Sequence, residues 1–215
     1  MDQRIEAVLA EYESRATQET KAIDALTDPE MLRRRDDFLL PVGRGTGTLL
    51  NVLAHEMPAR TMLEIGCAYG YSTMWLAQAA RDVDGLVISL ELHQSKVDYA
   101  QKMLEKAGLA EYVRFVVGDA RASLAALDHT FDLVLLDLWK ELYVRCFDLV
   151  VPRLNPGAIV VADNMLYPIS TRPQAELYRV HVRTRHDMDS VLLPVGSGIE
   201  ITRFNPARTE TGDRR

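Results

Sequence analysis

The sequence predicts an α/β protein with one seven-stranded, mostly parallel sheet that ends in an antiparallel hairpin. From residue 61 onward, short apolar runs alternate with segments that are compatible with helices. The runs are apolar throughout, as in Ala158-Ile159-Val160-Val161, which is typical of parallel strands buried on both faces. The last two runs, 190–194 and 199–204, are separated by only four residues, too few for a crossover helix. Together these observations predict a Rossmann-like sheet with helices on both faces and extra N-terminal helices.

Helices are predicted before the sheet begins. Residues 1–26 form an amphipathic helical pattern. Thr27-Asp28-Pro29-Glu30 predicts a second helix start, because Thr27 or Asp28 can cap it and proline suits the first turn. The glycine-rich stretch 42–48 has no preceding strand and no Gly-Lys-Ser/Thr ending. We interpret it as a flexible lead-in to a helix over 48–56, not as a phosphate loop.

The remaining elements follow in regular alternation within one expected domain. Strands are predicted at 61–65, 86–91, 113–118, 131–137 and 157–162, and helices at 71–80, 94–107, 120–127, 141–151 and 173–184. We expect residues 1–57 to form N-terminal helices on the substrate side, 58–205 to form the core, and 206–215 to be a frayed tail.

Composition limits the kinds of partner that the chain can have. The formal net charge is −6 and the pI is near 5.4, so we expect no nucleic-acid partner, and we interpret Arg33-Arg34-Arg35 as a solvated face. No apolar run reaches the roughly 18 residues that span a membrane, so we expect no membrane partner. Cys67 and Cys146 lie far apart, which favours a reducing, cytoplasmic setting. We expect a monomer or a homodimer.

Residues 61–72 predict the main ligand turn, at the end of the first strand. They carry Glu64, Gly66 and Gly70 in the spacing Glu-x-Gly-x-x-x-Gly, which lacks the third glycine of the dinucleotide fingerprint. The acid stands where a pyrophosphate would be repelled. An NAD-dependent oxidoreductase is therefore disfavoured, and S-adenosylmethionine (SAM), an adenosyl ligand without that group, is favoured. Glu64 would either favour a cationic ligand or hold the backbone of the turn.

Acidic residues end each of the five predicted parallel strands, whose carboxyl ends share one edge of the sheet. Each acid taken alone is explained equally well as a helix cap or a turn former, whereas five in register favour a ligand edge. Glu91 is suited to accept hydrogen bonds from a ribose, and Asp119 to lie near the adenine amine. The strand-end residues are Glu64, Glu91, Asp119, Asp137 and the pair Asp163-Asn164.

The ends of the fourth and fifth strands predict a metal site. Asp137, Asp163 and Asn164 offer two carboxylates and one amide, a set that suits Mg²⁺ or another hard divalent cation. The alternative is that Asp137 caps the next helix and Asp163-Asn164 only makes a turn. Lys140, three residues after Asp137, is either a base whose pKa the helix dipole and the cation lower, or a solvated surface lysine.

These motifs together resemble the catechol O-methyltransferase family of class I, SAM-dependent and metal-dependent enzymes. The resemblance runs from about residue 38 to residue 204. It rests on residues 63–72, Asp137-Leu138-Trp139-Lys140, Ala162-Asp163-Asn164 and Gly198-Ile199-Glu200. It implies that Asp137, Asp163 and Asn164 bind Mg²⁺, that Lys140 takes the proton of the attacking hydroxyl, and that Glu200 binds the second hydroxyl of a catechol.

The resemblance also implies which residues contact the cofactor and the substrate. The implied cofactor contacts are Val42, Gly43, Glu64, Gly66, Tyr69, Gly70, Ser72, Glu91, Leu92, Asp119, Ala120, Asp137 and Trp139. The implied substrate contacts are Phe38, Leu40, Lys140, Asn164, Pro168 and Glu200. The sequence departs from the family pattern where Leu138 replaces a histidine, Phe38 a tryptophan and Pro41 an asparagine, and Tyr69 sits one place later than the family's tyrosine.

The implied activity is Mg-dependent transfer of the SAM methyl group to a hydroxyl of a small, catechol-like vicinal diol. One alternative is a metal-dependent O-methyltransferase that acts on a non-catechol natural-product hydroxyl. Another, from a different class, is a SAM-binding protein that acts by interaction without catalysis. The intact set of Asp137, Lys140, Asp163, Asn164 and Glu200 argues against that last alternative.

Overall fold

A single sheet of seven strands forms the centre of the protein. The computed structural model describes residues 2–206. The strands are β1 (Thr61–Ile65), β2 (Leu86–Glu91), β3 (Val113–Val117), β4 (Phe131–Leu136), β5 (Leu154–Ala162), β6 (Met188–Leu193) and β7 (Ile199–Phe204). They lie in the order β3-β2-β1-β4-β5-β7-β6, with β1 to β5 parallel and β7 antiparallel to both of its neighbours. The predicted fold class is confirmed. The strand order reverses between β1 and β4, where sheets of this kind open a ligand crevice at their carboxyl edge.

Helices cover both faces of this sheet. Within residues 2–206 the α-helices are α1 (Gln3–Ile23), α2 (Asp28–Arg34), α3 (Gly43–Glu56), α4 (Tyr71–Asp82), α5 (Gln94–Ala107), α6 (Ala120–Ala126), α7 (Tyr143–Val150) and α8 (Arg172–Arg183). On one face α6, α7 and α8 contribute Leu124, Phe147 and Tyr178 to a buried cluster with the strands. On the other face α3 and α4 contribute Leu50 and Leu76 to a second cluster. The α1 helix packs outside α4 and α5.

Strand β4 shows why the strand runs are apolar throughout. Val134 and Leu136 belong to the cluster on the α7 face, and Leu133 and Leu135 belong to the cluster on the α3 face. All four are fully buried. Each such side chain stabilises the fold by about 1.5–3 kcal/mol on burial, so most positions of a strand that is covered on both sides carry apolar residues.

The N-terminal helices form as their sequence pattern predicts. Ile5, Leu9 and Tyr12 lie on one face of α1 and are fully buried, which confirms the amphipathic helix. The start of α2 is a capping box, in which the Thr27 amide donates to Glu30 Oε2 at 2.9 Å.

The interpretation of residues 42–48 as a flexible lead-in is wrong. The α3 helix begins at Gly43, so the glycines lie in its first turns. A Cβ at Gly47 would lie 2.4 Å from the indole Nε1 of Trp75, a fully packed side chain of α4. Glycine therefore lets α3 approach α4 closely, and this packing outweighs the low helix propensity of glycine.

The terminal hairpin is confirmed, with β7 inside the sheet and β6 at its edge. Glu200 of β7 lies opposite Ala162 of β5 and opposite Leu192 of β6, so it sits beside the point where β5 leads into Asp163. Of the expected tail, residues 207–215 lie outside the described part of the chain, and the domain division at residue 57 stays a prediction. None of the helices within residues 2–206 is both long enough and apolar enough to cross a bilayer.

Candidate functional site

The turn after β1 lies directly against the end of β4. Gly66 has a φ of +92°, which suits glycine, and a Cβ built there would lie 2.2 Å from the carbonyl oxygen of Asp137. The Asp137 amide donates in return to the Ile65 carbonyl at 3.0 Å. Gly70, at a φ of +93°, caps the start of α4. The backbone of the predicted cofactor turn therefore lies in direct contact with the backbone of Asp137, the first predicted metal ligand.

Glu64, in the strand that leads into this turn, is fully buried. Its carboxylate accepts hydrogen bonds from the hydroxyls of Ser72, Thr73 and Ser89, each at 2.6 Å. Burial raises the pKa of Glu64 to about 7, although the three hydroxyls oppose the shift. These contacts join the start of α4 to β2 through side-chain hydroxyls, and both alternatives for Glu64, a cationic ligand or the backbone of the turn, stay predictions. Direct contact of Glu64 or Ser72 with a cofactor stays a prediction.

Glu91, at the end of β2, joins two of the loops along the carboxyl edge. One carboxylate oxygen accepts from the Ala68 amide at 3.0 Å and the other from the His93 amide at 3.0 Å. The next residue, Leu92, is 58% exposed, which leaves an apolar side chain open beside the predicted ribose position. The contacts of Glu91 and Leu92 with a cofactor stay predictions.

Asp119 acts as the cap of α6, which begins at Ala120. Its carboxylate accepts from the amides of Arg121 and Ala122 at 3.0 and 3.2 Å. Hydrogen bonds from the Arg121 guanidinium lower the pKa of Asp119 to about 2. The capping alternative thus describes its observed contacts, and proximity to an adenine amine stays a prediction.

The segment 35–40 crosses the carboxyl edge and connects the N-terminal helices with the site. The guanidinium carbon of Arg35 lies 3.6 Å from the ring centroid of Trp139. The hydroxyl of Tyr69 donates to the carbonyls of Asp36 and Asp37 at 3.3 and 3.4 Å. The interpretation of the arginine run as a solvated face is therefore wrong for Arg35, since this side chain stacks on Trp139, one of the implied cofactor contacts.

An ion pair fixes the same segment to α5. Lys96 Nζ lies 2.7 Å from Asp36 Oδ1, and the lysine side chain is only 8% exposed. Sequence reasoning missed Arg35, Asp36 and Lys96. Lys96 lies on the buried face of α5 together with Val97 and Ala100. The helical spacing of these apolar residues is the one signal in the sequence that could have placed Lys96 on that face.

The other predicted contacts near this segment have mixed exposure. Phe38 is buried, Leu40 is 43% exposed, and Pro168 is exposed. Val42 is buried in the position before α3, and Gly43 has a φ of +82° with open space where a Cβ would be. Their roles as substrate gatekeepers and cofactor contacts stay predictions.

Lys140 is buried, and its amine lies beside the predicted metal ligands. Its Nζ donates to Asn164 Oδ1 at 3.1 Å, to the Leu138 carbonyl at 3.3 Å and to the hydroxyl of Tyr143. The surface-lysine alternative is wrong, since the residue is only 8% exposed. Burial lowers the pKa of Lys140, and the nearby carboxylate of Asp137 opposes that shift.

Asp163 is almost fully buried, and neither of its carboxylate oxygens has a hydrogen-bond partner among the described residues. Burial raises the pKa of Asp163 to about 7, with a further contribution from Asp137. Burial also raises the pKa of Asp137 to about 6, against the opposing charge of Lys140. Lys140 supplies one positive charge beside these two carboxylates, so one negative charge stays uncompensated in a largely buried place, which is costly.

The chemistry of these donors fits a hard divalent cation. Asp137, Asp163 and Asn164 supply oxygen ligands, and the cation would neutralise the two acids. Asn164 adopts a φ of +56°, a conformation that asparagine tolerates. No group of three or more His, Cys, Asp or Glu side chains suited to a metal occurs within residues 2–206. A cation here would therefore depend on the Asn164 amide oxygen and on oxygens from water or substrate.

Glu200 is fully buried, and its carboxylate already has several donors. Arg183 Nε donates at 2.7 Å, Arg179 Nε at 3.2 Å and Ser190 Oγ at 2.6 Å. Any substrate hydroxyl would have to share these oxygens with two guanidinium groups. The role of Glu200 as a substrate contact stays a prediction, and sequence reasoning missed the two arginines that hold it.

Comparison with known proteins identifies relatives of this chain. A family model described as a methyltransferase domain matches residues 63–165. A catechol O-methyltransferase from Mycobacterium tuberculosis is 37% identical over 128 residues, which cover 59% of this chain and 58% of the relative. The chain thus matches less than two thirds of that relative's length. A probable O-methyltransferase from the same organism is 32% identical over 176 residues, which cover 77% of this chain and 72% of the relative.

Solved structures give the same result for the fold. The O-methyltransferase TomG from Streptomyces achromogenes, involved in tomaymycin synthesis and solved in complex with SAM, superposes with a TM-score of 0.75 at 27% identity. The match covers 95% of this chain and 91% of TomG. From the strand order, the matched methyltransferase domain and these relatives, we conclude that the chain belongs to the class I SAM-dependent O-methyltransferase family.

Proposed function

We propose that the protein is an enzyme that transfers the methyl group of SAM to one hydroxyl of a catechol-like vicinal diol. The observation that carries this proposal is the buried Lys140 amine, 3.1 Å from Asn164 Oδ1 and beside the Asp163 carboxylate, which has no hydrogen-bond partner within residues 2–206. A lysine and an acid buried together beside the half-buried Asp137 are costly for folding, so their presence at the ligand edge of the sheet favours a catalytic role.

SAM would lie along the carboxyl edge between the turn after β1 and the end of β4. Gly66 lets the backbone of this turn pass close to Asp137 without a Cβ in the way. Glu91 would bind the ribose, Leu92 and Trp139 would enclose the adenine, and Asp119 would lie near its amine. The stack of Arg35 on Trp139 would cover this pocket and limit the access of water.

A bound Mg²⁺ or other hard divalent cation, held by Asp137, Asp163 and Asn164, would lower the pKa of the acceptor hydroxyl. Lys140 would take the proton of that hydroxyl at Nζ. Tyr143 and Asn164, which both contact Nζ, would fix its direction. Since Asn164 contacts the lysine and would also hold the cation, it would set the distance between base and acceptor.

The occupied carboxylate of Glu200 favours a second candidate, a metal-dependent O-methyltransferase for a non-catechol natural-product hydroxyl. If Arg179 and Arg183 stay hydrogen-bonded to Glu200, the hydrogen bond expected between Glu200 and the second hydroxyl of a catechol is weaker than in the family pattern. A SAM-binding protein without catalysis is disfavoured, because nothing in a purely binding role requires a buried Lys140 next to two acids.

A methylation screen with labelled SAM tests the proposal. Catechols, other vicinal diols and monohydroxylated analogues would each be offered with Mg²⁺ and with a chelator. We expect methylated product from vicinal diols in Mg²⁺ and a severe loss in chelator. Full activity in chelator would remove the metal from the mechanism, and methylation of monohydroxylated analogues alone would favour the second candidate.

A further inference from the structure

A hollow beside the predicted metal ligands has no role in the mechanism above. It has a volume of about 420 Å³ and lies between the loop after β5 and the first two turns of α8. Its lining residues are Met165, Leu166, Arg172, Pro173, Glu176 and Arg179. Since Met165 directly follows Asn164, the hollow begins one residue beyond the predicted cation position.

The loop wall of this hollow is fixed by backbone hydrogen bonds to the turn between β6 and β7. The Met165 amide donates to the Gly198 carbonyl and the Leu166 amide to the Ser197 carbonyl, both at 2.9 Å. Gly198 is needed for this contact, because at a φ of +89° its Cβ would lie 2.5 Å from the Leu166 side chain. A ligand in the hollow would therefore meet a wall that is already in place.

Both arginines of the hollow are held in position while keeping donors free. Arg172 Nε donates to the Leu166 carbonyl at 2.7 Å, and its guanidinium carbon lies 5.5 Å from the ring centroid of Tyr167. Arg179 donates through Nε to Glu200 and through Nη1 to Glu176. The terminal Nη1 and Nη2 of Arg172 and Nη2 of Arg179 donate to no residue of the described chain. These atoms are available to a ligand.

The charge of the hollow is net positive. Its lining carries two guanidinium groups and the single carboxylate of Glu176, which is 58% exposed and pairs with Arg179. Glu200, behind Arg179, is balanced by Arg183. The positive end of the α8 dipole adds to the field. Met165, Leu166 and Pro173 provide an apolar wall, so the ligand that fits has an apolar body and an anionic end.

We propose that this hollow binds an anionic group, a carboxylate or a phosphate, carried by the methyl acceptor. This inference rests on the proposed function, because it places the reacting hydroxyl at Lys140 and the acidic end of the same molecule at Arg172 and Arg179. The two free terminal nitrogens of Arg172 match the paired oxygens of such an anion, and Nη2 of Arg179 adds a third donor. The acceptor is thus an acidic hydroxylated aromatic compound rather than a neutral catechol or an amine.

Matched acceptors of one shape and different charge test the proposal. The probes are 3,4-dihydroxybenzoate, the neutral 3,4-dihydroxybenzamide, the cationic 3,4-dihydroxybenzylamine and the corresponding phosphonate. We expect kcat/KM to be about tenfold or more higher for the carboxylate than for the amide, and the difference to lie in KM, since a charged hydrogen bond outside the reacting centre changes binding. A larger preference for the phosphonate would support the site and assign a phosphate as its ligand.

Three variants separate charge from structure. Arg172→Gln should remove the preference for the anion. Arg172→Lys keeps the charge but loses the paired donors and the Nε bond to Leu166, and should retain only part of the preference. Arg114→Gln, an equal charge change at an exposed position of β3, should leave it unchanged. Equal use of carboxylate and amide by the wild type, or a preference that survives in Arg172→Gln, would overturn the inference.

A binding titration distinguishes failure of this inference from failure of the proposed function. If no diol is methylated, the proposed function fails, and calorimetric binding of 3,4-dihydroxybenzoate and the amide then decides on the hollow. Tighter binding of the carboxylate by wild type than by Arg172→Gln supports the anion site. Equal binding of both probes in both proteins overturns it.

Discussion

Substitution of Gly66 by alanine probes the contact that joins the cofactor turn to the metal ligands. A side chain at a φ of +92° costs about 1–3 kcal/mol in backbone strain. The new Cβ would lie 2.2 Å from the Asp137 carbonyl oxygen and 2.9 Å from its carbonyl carbon, and such overpacking costs a further ~1–3 kcal/mol. We expect the free energy of unfolding to fall by about 2–6 kcal/mol. Because the clash is with backbone, its relief moves Asp137 and should weaken SAM binding as well.

Gly157→Ala is the matched control for this experiment. Gly157 has a φ of +86° but nothing within 4 Å of its Cβ position, and it lies near the amino end of β5, away from the ligand edge. In Gly157→Ala the free energy of unfolding should fall only by the cost of backbone strain, about 1–3 kcal/mol, and SAM affinity should stay as in the wild type. Urea denaturation and calorimetric SAM titration measure both effects. The reasoning is refuted if Gly66→Ala matches Gly157→Ala in stability and binds SAM as the wild type does.

Three further predictions concern stability. Glu64→Gln should flatten the pH dependence of the free energy of unfolding. With a folded pKa of about 7, above the ordinary value of 4.5, the stability that Glu64 contributes is fully present below pH 4.5 and is lost as pH rises through 7, by about 3 kcal/mol. Urea denaturation at several pH values measures this, and an unchanged slope in the variant would contradict it. Asp163→Asn should abolish the stabilisation of the fold by Mg²⁺, which for a bound cation at a hundred times its Kd is about 2.7 kcal/mol. Thermal melts with and without Mg²⁺ measure this effect. A rise in melting temperature with Mg²⁺ that persists in the variant would exclude Asp163 as a ligand. Tyr12→Phe removes the 2.7 Å hydrogen bond to the Tyr69 carbonyl and should cost about 1–3 kcal/mol in urea denaturation, whereas an unchanged midpoint would show that this bond contributes nothing.

The sheet and the row of strand-end residues could be predicted from sequence because both follow from local patterns. A parallel strand covered on both faces is mostly apolar, as Leu133 and Val134 show, and a buried acid such as Glu64 is found there only with hydrogen-bond partners. The turn residues that end such strands then fall on one edge. This places Asp137 near Asp163 without any knowledge of side-chain contacts, and the two do share the surroundings of Lys140.

The features that were missed depend on contacts between distant segments. The start of α3 depends on Gly47 packing against Trp75, and a run of glycines carries no local sign of such a partner. The sequence has no periodic pattern that would indicate the stack of Arg35 on Trp139. Glu200 likewise looks like a free acid in the sequence, since its arginine partners come from α8, which is separated from β7 by β6.

The most direct test of the proposed reaction is turnover and SAM affinity measured on one preparation of Lys140→Gln. Loss of a general base lowers the rate by about 10²–10⁴-fold, while SAM should bind as in the wild type. Lys102→Gln, an equal charge change at an exposed position of α5, should leave both unchanged. Wild-type turnover in Lys140→Gln with vicinal diols would contradict the assignment of Lys140 as the base.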